Sequence, residues 1–200
     1  MLGLPKYTEI SKPIFKKNLY LKFNVTSKAQ EAFDADIAKI TIVNEISPMS
    51  TSVAAGETVK GFFAVLVQLK KEDFSDKNIE LLSKYIPHKT VYALEFDGRI
   101  ALAVYETKLI KTQFQPAEDI NLSIQGLNLD EVWSNIVHTV QGGEWDENLS
   151  VTENVEHQIE IENILKEISK LEKQIKNEPQ PKKKFELVQK LNALKQRLSK

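Results

Sequence analysis

The stretch from Val91 to Glu106, VYALEFDGRIALAVYE, constrains the fold of this chain more than any other stretch does. Two apolar runs flank Asp97-Gly98, a dipeptide that readily adopts the positive φ angles of a two-residue type I′ turn. This turn predicts a β-hairpin in which Phe96 faces Arg99. The pairs that follow are Leu94 with Ala101, Ala93 with Leu102, Tyr92 with Ala103 and Val91 with Val104. Because both faces of the ribbon are apolar, we predict a central hairpin in a sheet that is covered on both sides.

Hydrophobic periodicity predicts the elements on either side of the hairpin. The predicted strands are Leu19 to Val25, Lys39 to Ile46 and Gly61 to Leu69, with short strands at Leu109 to Phe114 and Ile120 to Gln125. The predicted helices are Ser27 to Lys39, Phe74 to Ile86 and Asn128 to Val140. These elements follow the order strand, helix, strand, strand, helix, strand. This is the split βαβ pattern of ferredoxin-like domains. We therefore predict an α+β fold with a mixed sheet in residues 1–148.

Residues 149–200 carry a different pattern, which predicts a pair of helices. Ser150 and Glu153 form a capping-box signature, and Asn177 to Pro181 (NEPQP) interrupts the helical periodicity. Apolar residues recur every three or four positions on both sides of this break: Ile161, Ile164, Ile168, Leu171 and Ile175 before it, and Leu187, Leu191, Leu194 and Leu198 after it. Such a seam is typical of a coiled coil. The pattern predicts a C-terminal antiparallel helical hairpin.

The apolar seam is also the predicted partner-binding site. Two helices cannot fully hide an apolar stripe by themselves, so we expect these nine residues to dock on a protein partner, to self-associate or to pack on the rest of the chain. No cofactor is expected.

Charge is unevenly distributed although the net charge is only −1. Residues 112–165 carry 11 acidic residues and no lysine or arginine, whereas residues 166–200 carry 11 basic and 4 acidic residues. A solvated surface and an interaction surface are both open interpretations of such blocks. The lysines that could contact DNA phosphates are Lys182, Lys183, Lys184, Lys190 and Lys195. With only two arginines in the chain and no aromatic platform beside these lysines, we expect no specific base recognition.

An enzymatic alternative depends on Glu106 and Lys108, which lie two residues apart after an apolar strand, as in PD-(D/E)xK nucleases. Asp97 cannot complete that motif, because it occupies the hairpin turn, roughly 25 Å along the strand at 3.3 Å per residue. A metal-dependent nuclease would need another carboxylate, such as Glu45 on a neighbouring strand. An ion pair at the sheet edge is the simpler interpretation.

The remaining sequence patterns argue against particular kinds of site rather than for them. Gly56 and Gly61 have the glycine spacing of a phosphate-binding Walker A loop, but Phe62 stands where its lysine would be. The three histidines lack the spacing of a metal site, so no metal is predicted. The chain has no cysteine, and no segment has the length and apolarity of a signal peptide or a membrane span. We expect a cytoplasmic protein that works without disulfides.

Several segments of the chain, taken together, resemble one bacterial family. They are MLGLP, FDADIAKITIVNEISP, AAGETVKGFFAVLVQLKKEDF, LAVYETKLI, GLNLDEVW and QPKKKFELVQKLNALK. The chain is similar over nearly its whole length to the domain of unknown function 4391 family. The resemblance brings no catalytic residues with it, and it implies an accessory role in a bacterial DNA-processing, restriction or defence system. We therefore expect a non-enzymatic accessory or adaptor protein that docks a larger partner through its helical tail, with the nuclease as the alternative.

Overall fold

The computed structural model describes residues 2–198 and is an α+β structure. The strands in the described residues are β1 (Glu9–Pro13), β2 (Ile37–Ile46), β3 (Phe62–Leu69), β4 (Lys89–Phe96), β5 (Arg99–Tyr105), β6 (Leu109–Lys111) and β7 (Gln115–Pro116). The α-helices are α1 (Lys16–Phe23), α2 (Ser27–Asp36), α3 (Asp76–Tyr85), α4 (Leu129–Gln141), α5 (Val151–Asn177) and α6 (Pro181–Leu198). The chain divides into two compact units, a sheet unit that ends at Gly142 and a hairpin unit that begins at Gly143.

All strands of the sheet unit belong to one mixed sheet. Its order is β1-β2-β3-β4-β5-β6, with β7 pairing beside β6 on β5. The neighbours β3 and β4 are parallel and are connected by α3, whereas the other pairs are antiparallel. A parallel pair needs a crossover connection, and α3 supplies it. The predicted α+β class and mixed sheet are confirmed.

The hairpin predicted around Asp97-Gly98 is confirmed in its register. Strands β4 and β5 pair from Val91 with Val104 to Phe96 with Arg99. Asp97 and Gly98 have φ angles of 50° and 72°, as a type I′ turn requires. The middle residues of both strands are buried, so the hairpin lies at the centre of the sheet.

Helices cover both faces of the sheet within the sheet unit. On one face, side chains from α1, α2 and α3 join those of the central strands in a single apolar cluster that includes Phe33, Leu82 and Tyr92. On the other face, Trp133 of α4 lies against Phe62 of β3, with ring centroids 5.4 Å apart. Each of these five side chains is at most 1% exposed. This two-sided burial explains why β3, β4 and β5 are nearly continuous apolar runs.

The strand predicted at Leu19 to Val25 is wrong, because this stretch contains most of α1. Its apolar residues alternate, but Leu21, which alternation would bury with Leu19, is 67% exposed. Leu19 and Phe23 instead lie one helical turn apart and contribute to the apolar cluster. Asn24 ends the helix in the left-handed conformation, which asparagine tolerates better than most residues.

The split βαβ (ferredoxin-like) pattern is not confirmed. That pattern needs a strand at Leu19 to Val25, and it separates its parallel strands by another strand. Here β3 and β4 are direct neighbours with Phe62 opposite Lys89, and the strands follow one another across the sheet in chain order. The segment from Ile120 to Gln125, predicted as a strand, has no regular secondary structure.

A buried carboxylate holds the connection between β3 and α3. Asp36, at the end of α2, is 4% exposed. It accepts hydrogen bonds from the Ser75 amide at 2.8 Å and the Asn78 side chain at 2.7 Å, and it pairs with Lys71 at 2.7 Å. Burial raises the pKa of Asp36, but the Lys71 ammonium and the Ser75 amide outweigh burial and hold it below its usual range. The ionised form is therefore the one that fits the fold.

The hairpin unit begins with a well-capped helix. The Ser150 hydroxyl accepts a hydrogen bond from the Glu153 amide, and the Glu153 carboxylate accepts one from the Ser150 amide, so the predicted capping box is confirmed. The Asn154 side chain bonds the Asp146 amide and carbonyl, both at 2.9 Å. These bonds join residues 146–150 to the first turn of α5.

Candidate functional site

The predicted partner-binding residues lie between the two helices of the hairpin unit. Ile164, Ile168, Leu171 and Leu194 form a buried cluster, and Leu187, Leu191 and Leu198 pack against it. Ile161 and Ile175 are half-buried on α5. In this arrangement the seam holds α5 and α6 together, so a partner would have to dock on the outer surface of the hairpin or displace one helix.

The hairpin unit has a groove of about 790 Å³ near the turn between α5 and α6. We call it the lysine groove. Its lining residues are Lys166, Ser169, Lys170, Lys173, Gln174, Asn177 and Glu178 from the α5 side and Lys183, Glu186, Leu187 and Lys190 from α6. Five lysines against two glutamates make it positively charged, with Leu187 as an apolar contact. Such a surface favours an anionic partner.

The five lysines predicted to contact phosphates are not equivalent in the structure. Lys183 and Lys190 line the lysine groove, whereas Lys182 and Lys184 are exposed in the first turn of α6 and are not part of its lining. Lys195 pairs with Glu172 of α5 at 3.0 Å. That ion pair connects the two helices, so Lys195 contributes to the hairpin itself, although exposed pairs of this kind stabilise by only about 0–1 kcal/mol.

Glu106, the predicted nuclease carboxylate, is buried and engaged by two other side chains. It is 4% exposed and pairs with Lys89 at 2.5 Å. Trp133 donates its indole N–H to the other carboxylate oxygen at 2.8 Å. Lys108 follows in the turn after β5, where its carbonyl accepts the Glu106 amide N–H at 3.2 Å. The ion-pair interpretation therefore holds for Glu106, but with Lys89 as its partner.

The structure does not bring Glu45 to Glu106. Glu45 pairs across the sheet with Phe63, which packs on the α1–α3 side. Glu106 contacts Trp133, which lies on Phe62 and therefore on the opposite side, since successive residues of a strand point to opposite faces. Across residues 2–198, no three histidine or acidic side chains are grouped so that they could hold a metal ion. The described geometry thus assembles no two-carboxylate site from these residues.

The loop that carries Gly56 and Gly61 binds a carboxylate of the protein itself, that of Asp130. The Asp130 carboxylate accepts hydrogen bonds from the amides of Glu57 at 2.6 Å and Val59 at 2.7 Å, and from the amide and hydroxyl of Thr58. Burial raises the pKa of Asp130, but these four donors together lower it below its usual range. A side chain on Gly56 would collide with the carboxylate. The loop is therefore fixed to the first turn of α4.

Sequence reasoning missed Lys89, Trp133 and Asp130 as partners in these contacts. One signal was present for Lys89, because extending the hairpin register outward from the Asp97-Gly98 turn places residue 89 opposite residue 106. No local pattern connects Asp130 with the loop at Gly56, which lies more than 70 residues earlier in the chain. Such pairings depend on the packing of α4 on the sheet.

Comparison with known proteins identifies the family. The family described as Domain of unknown function (DUF4391) matches residues 2–198 of the 200-residue chain. The chain belongs to this family, as its sequence segments suggested. No curated protein and no solved structure matches the chain significantly. No helix in the described part of the chain is long and apolar enough to cross a membrane.

Proposed function

We propose that this protein is a non-enzymatic adaptor that docks a larger protein through its helical hairpin, in a bacterial DNA-processing, restriction or defence system. The observation that supports the proposal best is the lysine groove. The seam between α5 and α6 is occupied by its own residues, whereas the groove combines concavity, positive charge and an apolar contact at Leu187. We also propose that the seam packs as an antiparallel coiled coil.

The partner is expected to present an acidic segment with an apolar residue among its carboxylates. Lysine side chains attract carboxylates strongly at long range but position them loosely, so charge would set the rate of association and apolar contacts would add specificity. The same argument applies to a second copy of the chain, whose residues 112–165 carry 11 acids and no lysine or arginine. The partner captured in the test described next can therefore be a second copy of the chain.

The test compares two pairs of charge reversals in the same helix. Lys183→Glu with Lys190→Glu alters the lysine groove, whereas Lys182→Glu with Lys184→Glu makes the same charge change outside its lining. Tagged protein of each kind is used for capture from its native host, after nuclease treatment of the lysate. We expect one protein partner to bind the unchanged protein and the control variant with similar affinity. The groove variant should bind this partner more weakly, with a Kd about tenfold or more higher.

Two results would contradict the proposal. Equal losses in both variants would mean that only net charge matters, and loss of the partner on nuclease treatment would mean that nucleic acid bridges the two proteins. A purified duplex gives an independent measurement. If DNA were the ligand, the groove variant would bind it more weakly and its log–log salt slope would decrease by about two, since each lost phosphate contact removes roughly 0.9 of a released counterion.

The nuclease alternative is addressed by its own assay, because no contact in the structure favours it. Purified protein with Mg²⁺ or Mn²⁺ is expected to leave single- and double-stranded DNA intact. Cleavage that disappears in Glu106→Gln but persists in a control such as Glu80→Gln would establish the nuclease instead. Glu106→Gln keeps the side chain nearly the same size, so we expect the variant to fold, and circular dichroism checks this.

A further inference from the structure

A second concave surface lies in the sheet unit, and its lining includes Lys89, the ion-pair partner of Glu106. It opens between the starts of β3 and β4 and the end of α3, and its volume is about 510 Å³. Its polar lining includes Lys60, His88, Lys89, Thr90, Tyr92 and Tyr105, and Ile86 and Pro87 form part of the apolar wall. Volumes of roughly 300–1,000 Å³ are typical of small-molecule sites. We call this feature the Tyr92 cleft.

The Tyr92 hydroxyl is the unusual group in the cleft. Tyr92 is 0% exposed, and among the described residues its hydroxyl makes no well-formed hydrogen bond, although the Thr90 hydroxyl lies near it. The neighbouring Thr90 hydroxyl is donated elsewhere, to the His88 carbonyl at 2.9 Å. Burial raises the pKa of Tyr92 and outweighs the nearby Thr90 hydroxyl, which lowers it, so the group remains a donor. Native proteins seldom bury a donor without an acceptor, and a ligand is one way to supply it.

The charge of the cleft indicates which acceptor fits. Two lysines and a histidine line it, and no aspartate or glutamate belongs to its described lining. The charge of Lys89 is balanced by Glu106 at 2.5 Å, whereas the partner of the Lys60 ammonium among the described residues is the neutral Gly56 carbonyl, at 2.8 Å. Because the Asp130 carboxylate fixes the amides of residues 57–59, the backbone that carries Lys60 is held in place. The cleft therefore has a positioned positive charge and a buried donor.

We propose that the Tyr92 cleft binds a small molecule that carries an oxyanion, a phosphate monoester or a carboxylate, on an apolar body. The Tyr92 hydroxyl donates a hydrogen bond to the oxyanion and Lys60 balances its charge. The apolar body lies against Ile86 and Pro87. This site is in the sheet unit, and its test is independent of the docking function proposed for the hairpin.

Phenyl phosphate and benzoate are suitable probes. Inorganic phosphate and phenol, which correspond to the two parts of phenyl phosphate, are the controls. Titrations of the full chain followed by NMR measure binding and locate it. We expect phenyl phosphate or benzoate to bind more tightly than either half and to shift the resonances of residues 86–92. Tyr92→Phe should weaken binding about tenfold or more, as for a lost hydrogen bond to a charged group. Lys60→Met should weaken it about three- to tenfold.

Two further measurements separate a ligand site from a structural role. Lys77→Met removes an exposed lysine of α3 that is not part of the cleft, and it should leave binding unchanged. Tyr92→Phe without ligand should keep or raise Tm, because it removes a buried donor that has no partner. A lower Tm for Tyr92→Phe would overturn the proposal, since the hydroxyl would then be bonded within the protein. Absence of saturable binding up to about 10 mM probe, or binding unaffected by both cleft variants, would overturn it as well.

Discussion

The sheet unit and the hairpin unit bury their apolar residues in very different ways. In the sheet unit, helices cover both faces of a continuous sheet, and the buried Asp36 and half-buried Asp130 carboxylates fix loops to helix ends. In the hairpin unit, four buried residues form the seam cluster, and the ion pairs that join its helices are exposed. The first unit is therefore expected to be a stable scaffold, and the second a marginal element that a partner could reinforce.

The largest expected effect is in the seam. Ile168→Asp with Leu171→Asp places two charges where both side chains are 8% exposed, at a cost of several kcal/mol. We expect the hairpin unit to lose its helical structure while the sheet unit keeps its cooperative unfolding transition. Circular dichroism and amide hydrogen exchange measure the two units separately.

Leu165→Asp is the matched control for the seam, because Leu165 is 50% exposed on the same helix. It should change stability by less than about 0.5 kcal/mol. If the sheet unit lost its protected amides together with the hairpin in the seam variant, the two units would unfold as one and the comparison would be wrong.

The second effect concerns the buried carboxylate of the sheet unit. Asp36→Asn keeps the shape of the side chain but removes the charge that Lys71 and the Ser75 amide stabilise. We expect a loss of about 2–3 kcal/mol in the free energy of unfolding, measured by urea denaturation. Glu72→Gln breaks the exposed pair with Arg99 and should lose no more than about 1 kcal/mol. Equal losses would show that Asp36 is not a special contact.

Features that depend on residues close together in the chain were predictable from the sequence, and features that depend on distant residues were not. The hairpin at Asp97-Gly98 was predictable in register, because one turn and its flanking residues determine it. The stretch at Leu19 was predicted wrongly, because residues 19 and 23 satisfy both a strand and a helix pattern, and only Asn24 indicated the helix end. The Asp130 contacts join distant parts of the chain, so no local pattern predicts them. The order of the strands also depends on contacts between distant parts of the chain, so no local pattern predicts it.

The pH dependence of stability should report on the carboxylates that hold the sheet unit together. Burial raises the pKa values of Asp34, Asp36 and Asp130 in the folded sheet unit, but hydrogen bonds, joined by nearby lysines at Asp34 and Asp36, outweigh it and lower all three. Because the folded-state pKa values lie below the unfolded ones, their stabilisation is complete above about pH 3.9 and is lost as pH falls through the folded-state values.

Urea denaturation between pH 7 and pH 2.5 measures this loss. Each carboxylate contributes at most about 1.4 kcal/mol per pH unit in the window between its two pKa values. Asp36→Asn should therefore have a shallower acid dependence than the unchanged protein, besides its lower stability at pH 7. A parallel dependence in the two proteins would mean that Asp36 titrates alike in the folded and unfolded chain, against the geometry of its contacts.

The smallest expected effect is that of removing the hairpin from the sheet unit. A chain that ends at Asn148 retains α4, whose Trp133, Val132 and Val137 complete the buried layer on that face of the sheet. We expect its unfolding free energy and its near-ultraviolet circular dichroism to match those of the sheet transition in the full chain, within about 0.5 kcal/mol. A truncated protein that is molten, or less stable by several kcal/mol, would show that the sheet unit depends on residues beyond 148. The hairpin would then be part of the core, and the lysine groove would belong to a single folded body.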